Sequence, residues 1–537
     1  MRIRPRRSAA RTVILLFCLL LCAAITPTAP ATPAASATPA PPAAPAASAS
    51  ARSDRYAAID AYVRDRMEAT RTPGISYAVV GPDGPIHQRS WGTDGQGERV
   101  TARTPFLWGS VAKPITSTAV MTLVQDGRLR LGDRIVDHLP SFRFGGAEHA
   151  SRVTVRHLLN QTAGIPESAT FKVADCFDAD CPRPAERVGD LDDVQPLGPP
   201  GTKYAYTSAN YLVLSAVVEA VTKRPFADYL KRSVLDPAGM DGAIVDQASA
   251  RRRSLPPGHQ LLWGKPAAIA DGVDNHGASY GYTGGDLSDL AAFASFQLRS
   301  GRTAGGDAVL TPESAQMMRE EGKLRPTGAG TGYGMGWRVG GLDAPLDDAI
   351  WHTGATPGYS AMLFLLPKQN IAIVVQQNLH GLLHDDAVMQ VGFGAARMLA
   401  GGSAPSGASA SSYYMTVWGT TALALALILA AGRSALLLRR PATHSSPLRR
   451  TVLTSLWCLA GALPWIASAL LVSRISLGEM MNWVPDTFIA VCVAATAGAA
   501  TIVLRLILVI RALRAPRARP DTGRGSPFGT SATARHT

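Results

Sequence analysis

The chain is 537 residues long, enough for several domains, and carries a net charge of +13. That charge is unevenly placed: the first 50 residues hold five Arg and no acid, residues 401–537 hold thirteen Arg and three acids, and residues 51–400 are left at −2. Arginines set beside apolar runs, around a near-neutral middle, mark membrane topology rather than a phosphate-binding face, which excludes nucleic acid as a partner.

An Arg-rich start from Arg2 to Arg11, an apolar run from Thr12 to Ile25, and Ala35-Ser36-Ala37 as a cleavage site read as a secretory signal over residues 1–37. The run is short for a bilayer span, and an uncleaved anchor is the second reading. Cys22 follows Leu21 rather than a small residue, which speaks against a lipoprotein signal. From Thr26 to about Ala51 nearly every residue is Ala, Pro, Thr or Ser. Such a composition cannot bury a core, so residues 38–53 are assigned to a disordered spacer. Ile59, Val63 and Met67 form a stripe that predicts a helix from about Tyr56 to Ala69. Two strands follow, Ile75–Val80 and Ile86–Trp91, joined by a Pro-Asp-Gly turn.

Next comes Leu107-Trp108-Gly109-Ser110-Val111-Ala112-Lys113-Pro114. A helix starting here places Ser110 and Lys113 on one face, one turn apart. A serine needs a neighbouring base to be a nucleophile, and a lysine is a base only where a dry pocket or nearby cations lower its pKa. The free N–H groups of a helix start suit a developing oxyanion. Pro114 fits a first turn, where no intrahelical partner is lost, and Gly127 ends the helix. Alone, Ser-x-x-Lys is a weak pattern, and its weight depends on what lies downstream.

Val153–Leu159 begins another short helix, ended at Gly164-Ile165-Pro166. Cys176 and Cys181, in a polar, loop-like stretch, are the only cysteine pair in the exported region, and an oxidising compartment predicts a local disulfide rather than a metal site. A helix is predicted from Tyr211 to Val221, and late strands at Met335–Val339, Ser360–Leu366 and Ile371–Gln376. Residues 401–412 read as a linker. Three apolar runs, about Tyr413–Gly432, Val452–Val472 and Phe488–Ile510, are each long enough to span a bilayer and make residues 413–510 a membrane domain. Arg-rich residues 433–450 and the basic tail, 511–537, are placed in the cytoplasm, so the region before Tyr413 lies outside, as the signal requires. Arg505 inside the last run is an irregularity that snorkelling accommodates.

Two motifs stand in order after Ser110: Lys203-Tyr204-Ala205-Tyr206-Thr207-Ser208-Ala209-Asn210-Tyr211 and Trp351-His352-Thr353-Gly354-Ala355, the second just before a strand. With Gly127–Asp133, Leu139-Pro140, Leu158–Pro166 and Tyr333-Gly334-Met335-Gly336-Trp337, the chain over residues 54–400 resembles the serine β-lactamase and penicillin-binding-protein superfamily. It is most similar to the class C β-lactamase, D-Ala-D-Ala carboxypeptidase and esterase branch. The resemblance implies an α/β, transpeptidase-like fold, an antiparallel sheet flanked by helices plus a helical subdomain, here followed by the three transmembrane helices. It implies Ser110 as the acylated nucleophile, Lys113 as its activating partner and Tyr206 as the tyrosine of Tyr-x-Asn. Ser208 stands where that motif has Asn, and a Ser208-x-Asn210 register is rejected because Tyr211 and the apolar run after it fit the Tyr-first one. His352-Thr353-Gly354 falls where the family has Lys-Thr-Gly or His-x-Gly, and the backbone N–H groups of Ser110 and Ala355 would form the oxyanion hole. A phenol beside Lys113 is expected to ionise and act as a base. A neutral His352 attracts a carboxylate less than lysine does, which favours esters or amides. Glu167 reads as a loop surface residue.

The reading is an exported, multi-pass serine hydrolase of the plasma membrane, its catalytic domain on the extracytoplasmic side. It cleaves an ester, amide or D-amino-acid peptide bond through an acyl-serine. Its partners are a small-molecule or cell-wall peptide-like substrate and the lipid bilayer, and no metal or organic cofactor is implied. The competing reading is a penicillin-binding or ligand-sensing membrane receptor that acylates or binds without turnover.

Overall fold

The computed structural model describes residues 49–324, 327, 330–440, 446–472 and 476–514. The signal (1–37), most of the spacer (38–48), residues 441–445 of the Arg-rich connection and most of the basic tail (515–537) lie outside the described residues.

Helix α1 (Ala49–Thr70) leads into the hairpin β1 (Gly74–Gly81) and β2 (Gly84–Gly92), whose strands meet at Gly81 and Gly84. Gly84, at φ +125°, takes the turn conformation that a side chain resists. The helices that position the site are α2 (Ala112–Gln125), α3 (Ser208–Thr222) and α4 (Leu287–Leu298). Thr207 caps α3 by accepting the Ala209 N–H, and Asp286 caps α4 by accepting those of Ser288 and Asp289. The remaining strands are β3 (Thr331–Gly334), β4 (Trp337–Gly340), β5 (Ile350–Thr356), β6 (Tyr359–Leu366) and β7 (Ile371–Gln377), followed by α5 (Asp385–Leu399). They form one seven-stranded sheet, order β2-β1-β7-β6-β5-β4-β3, with every neighbour antiparallel.

Both faces of the sheet are buried, which is why its central strands read as continuous apolar runs. Ile75, Tyr77 and Val79 of β1 join Met362, Phe364 and Leu366 of β6 in a core beneath α1 and α5. Ala78, Val80, Ala361, Leu363 and Leu365 point the other way, into the larger core shared with α2, α3 and α4. The expected strand Met335–Val339 is broken: Met335 and Gly336, at φ +47° and +85°, form a two-residue turn between β3 and β4. Positive φ at both positions matches the twist of a tight hairpin, and Asn160 Oδ1, accepting the Met335 N–H at 3.0 Å, holds the non-glycine residue there.

Beyond α5 lie α6 (Ser411–Leu438), α7 (Pro447–Val472), the short α8 (Leu477–Trp483) and α9 (Pro485–Arg514). Three of these contain stretches long and apolar enough to cross a membrane: Ser411–Leu438, Leu448–Leu470 and Pro485–Arg514. Leu429, Ile466 and Val503 are among their exposed apolar side chains. The chain divides into two units, and the division does not fall at the linker. Of the described residues, those up to Gly419 and Leu470–Ile489 form the larger unit, which holds the sheet; Thr420–Ala469 and those from Ala490 on form the smaller one. Within the smaller unit Gly461 and Gly498 let two helices meet, since a Cβ on Gly461 would lie 2.7 Å from Gly498 O.

Candidate active site

The nucleophile motif forms a tight 3-10 turn, Gly109–Val111, that runs directly into α2. Gly109, at φ +54°, and Gly354 on β5 allow turn and strand to touch: a Cβ on Gly109 would lie 2.1 Å from Ala355 N, and one on Gly354 2.5 Å from Ser110 N. The backbone N–H groups of Ser110 and Ala355 are thereby brought to one place.

Lys113 is fully buried, and its Nζ lies 2.8 Å from Ser110 Oγ, 2.8 Å from Tyr280 O and 3.4 Å from Ser208 Oγ. Burial, then the charge of Arg338, pushes the amine well below its ordinary range. A neutral amine has two N–H groups and one lone pair. With Tyr280 O and Ser208 Oγ taking the N–H groups, the lone pair is left for the Ser110 hydroxyl. Ser208, at the first turn of α3, thus reaches the lysine although it stands where Asn is usual. Asn210 turns away and donates to Gln161 Oε1, which also accepts the Thr207 N–H at 3.1 Å. That favours the register in which Tyr206 leads. Glu167 lies exposed on the surface.

Tyr206 is half-buried, its hydroxyl in hydrogen-bond contact with Ser110 and its ring centroid 5.0 Å from Lys113 Nζ. Here the expectation of an ionised phenol is reversed. Burial raises the Tyr206 hydroxyl, and the contact with Ser110 and the charge of Arg338 offset this only in part. Ser110 is therefore flanked by a neutral amine and a protonated phenol.

His352 is buried on β5, its Nδ1–H donating to Thr353 O at 2.6 Å and its Nε2 3.5 Å from Tyr333 OH. Burial, then Arg338 and Lys113, hold the imidazole well below its usual range, so it is neutral. Thr353 and Ala355 are half-exposed on the same strand. The cation of the site is instead Arg338 on β4, paired in register with Tyr333 and Trp351. Its guanidinium carbon lies 5.4 Å from the Tyr206 ring centroid, 5.9 Å from that of Tyr333 and 5.4 Å from that of Trp351. Sequence reasoning passed it over, although it directly follows Tyr333–Trp337 and precedes His352 by one strand. Cys176 and Cys181 are joined by a disulfide in the loop before α3. No group of three or more His, Cys, Asp or Glu is placed to hold a metal ion among the described residues.

The family model described as Beta-lactamase matches residues 59–391. The chain belongs to the β-lactamase family. Penicillin-binding protein 4 of Amycolatopsis lactamdurans is 32% identical over 333 residues, 59% of this chain and 85% of the relative. Protein flp of Staphylococcus aureus is 23% identical over 330 residues, and the match spans 64% of its length. Among solved structures, the octameric penicillin-binding protein homologue from Pyrococcus abyssi superposes with a TM-score of 0.56 at 21% identity, covering 65% of this chain and 78% of that one. EstCE1, a hydrolase with promiscuous acyltransferase activity, gives 0.53 at 20% identity over 62% of this chain and 95% of its own. The β-lactamase/transpeptidase-like fold is thus shared with penicillin-binding and esterase-type proteins alike.

Proposed function

We propose that the chain is a membrane-tethered serine hydrolase that cleaves an ester, amide or D-amino-acid peptide bond through an acyl-enzyme on Ser110. One observation carries this: a fully buried lysine amine 2.8 Å from the serine hydroxyl, with Tyr280 O and Ser208 Oγ beside it to take its N–H groups once it is neutral. In the mechanism it supports, Lys113 takes the Ser110 proton as Oγ attacks the carbonyl. The N–H groups of Ser110 and Ala355 hold the oxyanion. Tyr206, protonated and touching Ser110, delivers a proton to the leaving atom and regains one from the Lys113 ammonium; water then adds to the acyl group, its proton going by way of the amine to Ser110 Oγ as the acid departs. Thr353 and Ser208 border the substrate, and Arg338 faces a carboxylate on it, the charge role that neutral His352 does not fill.

Residues 1–37 export the catalytic unit, and three apolar helices tether it in the plasma membrane with that unit outside. The Arg-rich connection after the first span and the basic tail support this orientation. The test uses the full-length chain in detergent. A fluorophosphonate should label Ser110, and a chromogenic ester should be turned over many times. Ser110→Ala should abolish both. A single acylation without turnover would favour the receptor reading, and label on another serine would refute the assignment.

A further inference from the structure

The segment between the second and third apolar helices is more than a connection. Its described residues belong to the larger unit, and α8 reaches the loop that carries the disulfide. Trp483 Nε1–H donates to Asp175 Oδ2 at 2.8 Å, and the indole meets the His380 ring edge-on at 5.6 Å. Gln260 Nε2 donates to Asn482 O. Glu479, only 5% exposed, has its Oε2 buried without a hydrogen-bond partner among the described residues, and its carboxyl interacts with that of Asp175.

Asp175 is in turn bound to the segment that holds the lysine. Tyr282 OH donates to Asp175 Oδ1 at 2.6 Å, and the Asp175 N–H donates to Tyr280 OH at 3.3 Å. Tyr280 OH donates to Asp274, which Arg187 grips at 3.0 and 2.8 Å. The carbonyl of that same Tyr280 accepts from Lys113 Nζ. Asp175 alone therefore separates α8 from Tyr280, the residue whose carbonyl orients the amine.

Two carboxyls in contact cannot both be ionised, and a single shared proton is what makes their contact attractive. Burial and the charge of Asp175 raise the Glu479 carboxyl far above its ordinary range. The other ionisable groups facing the pair are Asp274, Tyr280, Tyr282 and Arg187, with His380 against Trp483. His380 is held neutral by burial, and Arg187 is already committed to Asp274. Losing the shared proton would set two buried anions against each other, with Asp274 as a third.

We propose that Glu479 and Trp483 are positioning residues of the active site, which seat Asp175 and, through Tyr282 and Tyr280, fix the carbonyl that directs the Lys113 amine at Ser110. This rests on the hydrolase reading above. Turnover then depends on how the inter-span segment is seated, and it falls at alkaline pH when the shared proton leaves.

The experiment uses the full-length chain in nanodiscs. Trp483→Phe keeps the ring on His380 but removes the N–H; Glu479→Ala removes the shared proton; Glu479→Gln offers Asp175 an N–H at any pH. The first two should lower kcat on a chromogenic ester by about tenfold with KM little changed, the scale of a small misplacement in the site. Both should also speed amide hydrogen exchange in residues 276–283. Glu479→Gln should retain kcat at neutral pH and lose the alkaline fall of the wild type. Wild-type kcat, pH profile and exchange in Trp483→Phe and Glu479→Ala would overturn the proposal, as would a Gln variant that behaves like the Ala variant. A wild-type chain that neither turns over nor labels at Ser110 refutes the hydrolase reading instead. In that case the exchange measurement still decides whether α8 holds residues 276–283.

Discussion

The two walls of the site treat basic side chains in opposite ways. On the helix wall Lys113 is fully buried, and burial removes its charge. On the strand wall Arg338 is half-buried and lies against three aromatic rings. A guanidinium tolerates that setting because its charge is delocalised and weakly hydrated, whereas an ammonium is compact and gives up its proton when buried. His352, on the neighbouring strand of the same wall, follows the lysine and stays neutral. The role of a basic group here is set by its access to water and by its chemistry together. In the proposed mechanism the helix wall provides a base, and the strand wall provides the charge.

The largest effect should come from forcing the helix wall to carry a charge. Lys113→Arg keeps length and hydrogen-bond donors but cannot be neutral, so it should lose about three powers of ten or more in kcat, as much as Lys113→Ala. If the arginine variant kept activity within tenfold, charge rather than basicity would be the function of this position. Tyr206→Phe should cost about two to four powers of ten, the usual range for a general acid. Combined with Lys113→Ala it should add little, because the groups act as one unit on one proton path. Single-turnover kinetics of the three variants would measure this.

The contrast between the walls also explains what the sequence could disclose. Ser110 and Lys113 are close because they sit one helical turn apart, and a local spacing of that kind can be read from the chain. Tyr206 and His352 were placed by the order of their motifs, and the apolar runs of β6 and β7 announced buried strands. The atoms that set the charge states come from elsewhere. Tyr280 contributes a backbone carbonyl, which no residue type encodes, from 167 positions beyond Lys113. Arg338 is aimed by the left-handed turn at Met335 and Gly336, where the apolar pattern suggested an unbroken strand. Trp483 meets Asp175 across 308 positions, and hydropathy registers its segment only as a gap between spans.

A smaller and more selective effect is expected from removing the charge of the strand wall. Arg338→Gln should reduce kcat/KM about 10- to 100-fold for substrates bearing a carboxylate near the scissile bond, the range of a hydrogen bond to a charged group. Neutral esters should change little. The same variant should alter the helix wall at a distance. Arg338 is one cause of the lowered Lys113 pKa, so its removal raises that pKa. Only the neutral amine is active, and activity is lost as pH falls through the amine's pKa. The acid limb of kcat/KM should therefore move to higher pH in Arg338→Gln, and an unmoved limb would break the electrostatic link between the walls.

The smallest effect should follow substitution of His352, the residue whose position in the motif suggests the most. Its imidazole is buried, donates to Thr353 O, and is kept from protonation by burial first and by the charge of Arg338. A glutamine carries the N–H that this bond needs and has no charge to lose. His352→Gln should therefore retain activity within about tenfold, the scale of one neutral hydrogen bond. Its pH–rate profile around neutral pH should overlay that of the wild type after scaling, because an imidazole that burial holds neutral adds no charge change there. A limb that vanished with the histidine would mean that the imidazolium takes part. The strand wall would then hold two cations rather than one, and carboxylate recognition would have to be divided between them.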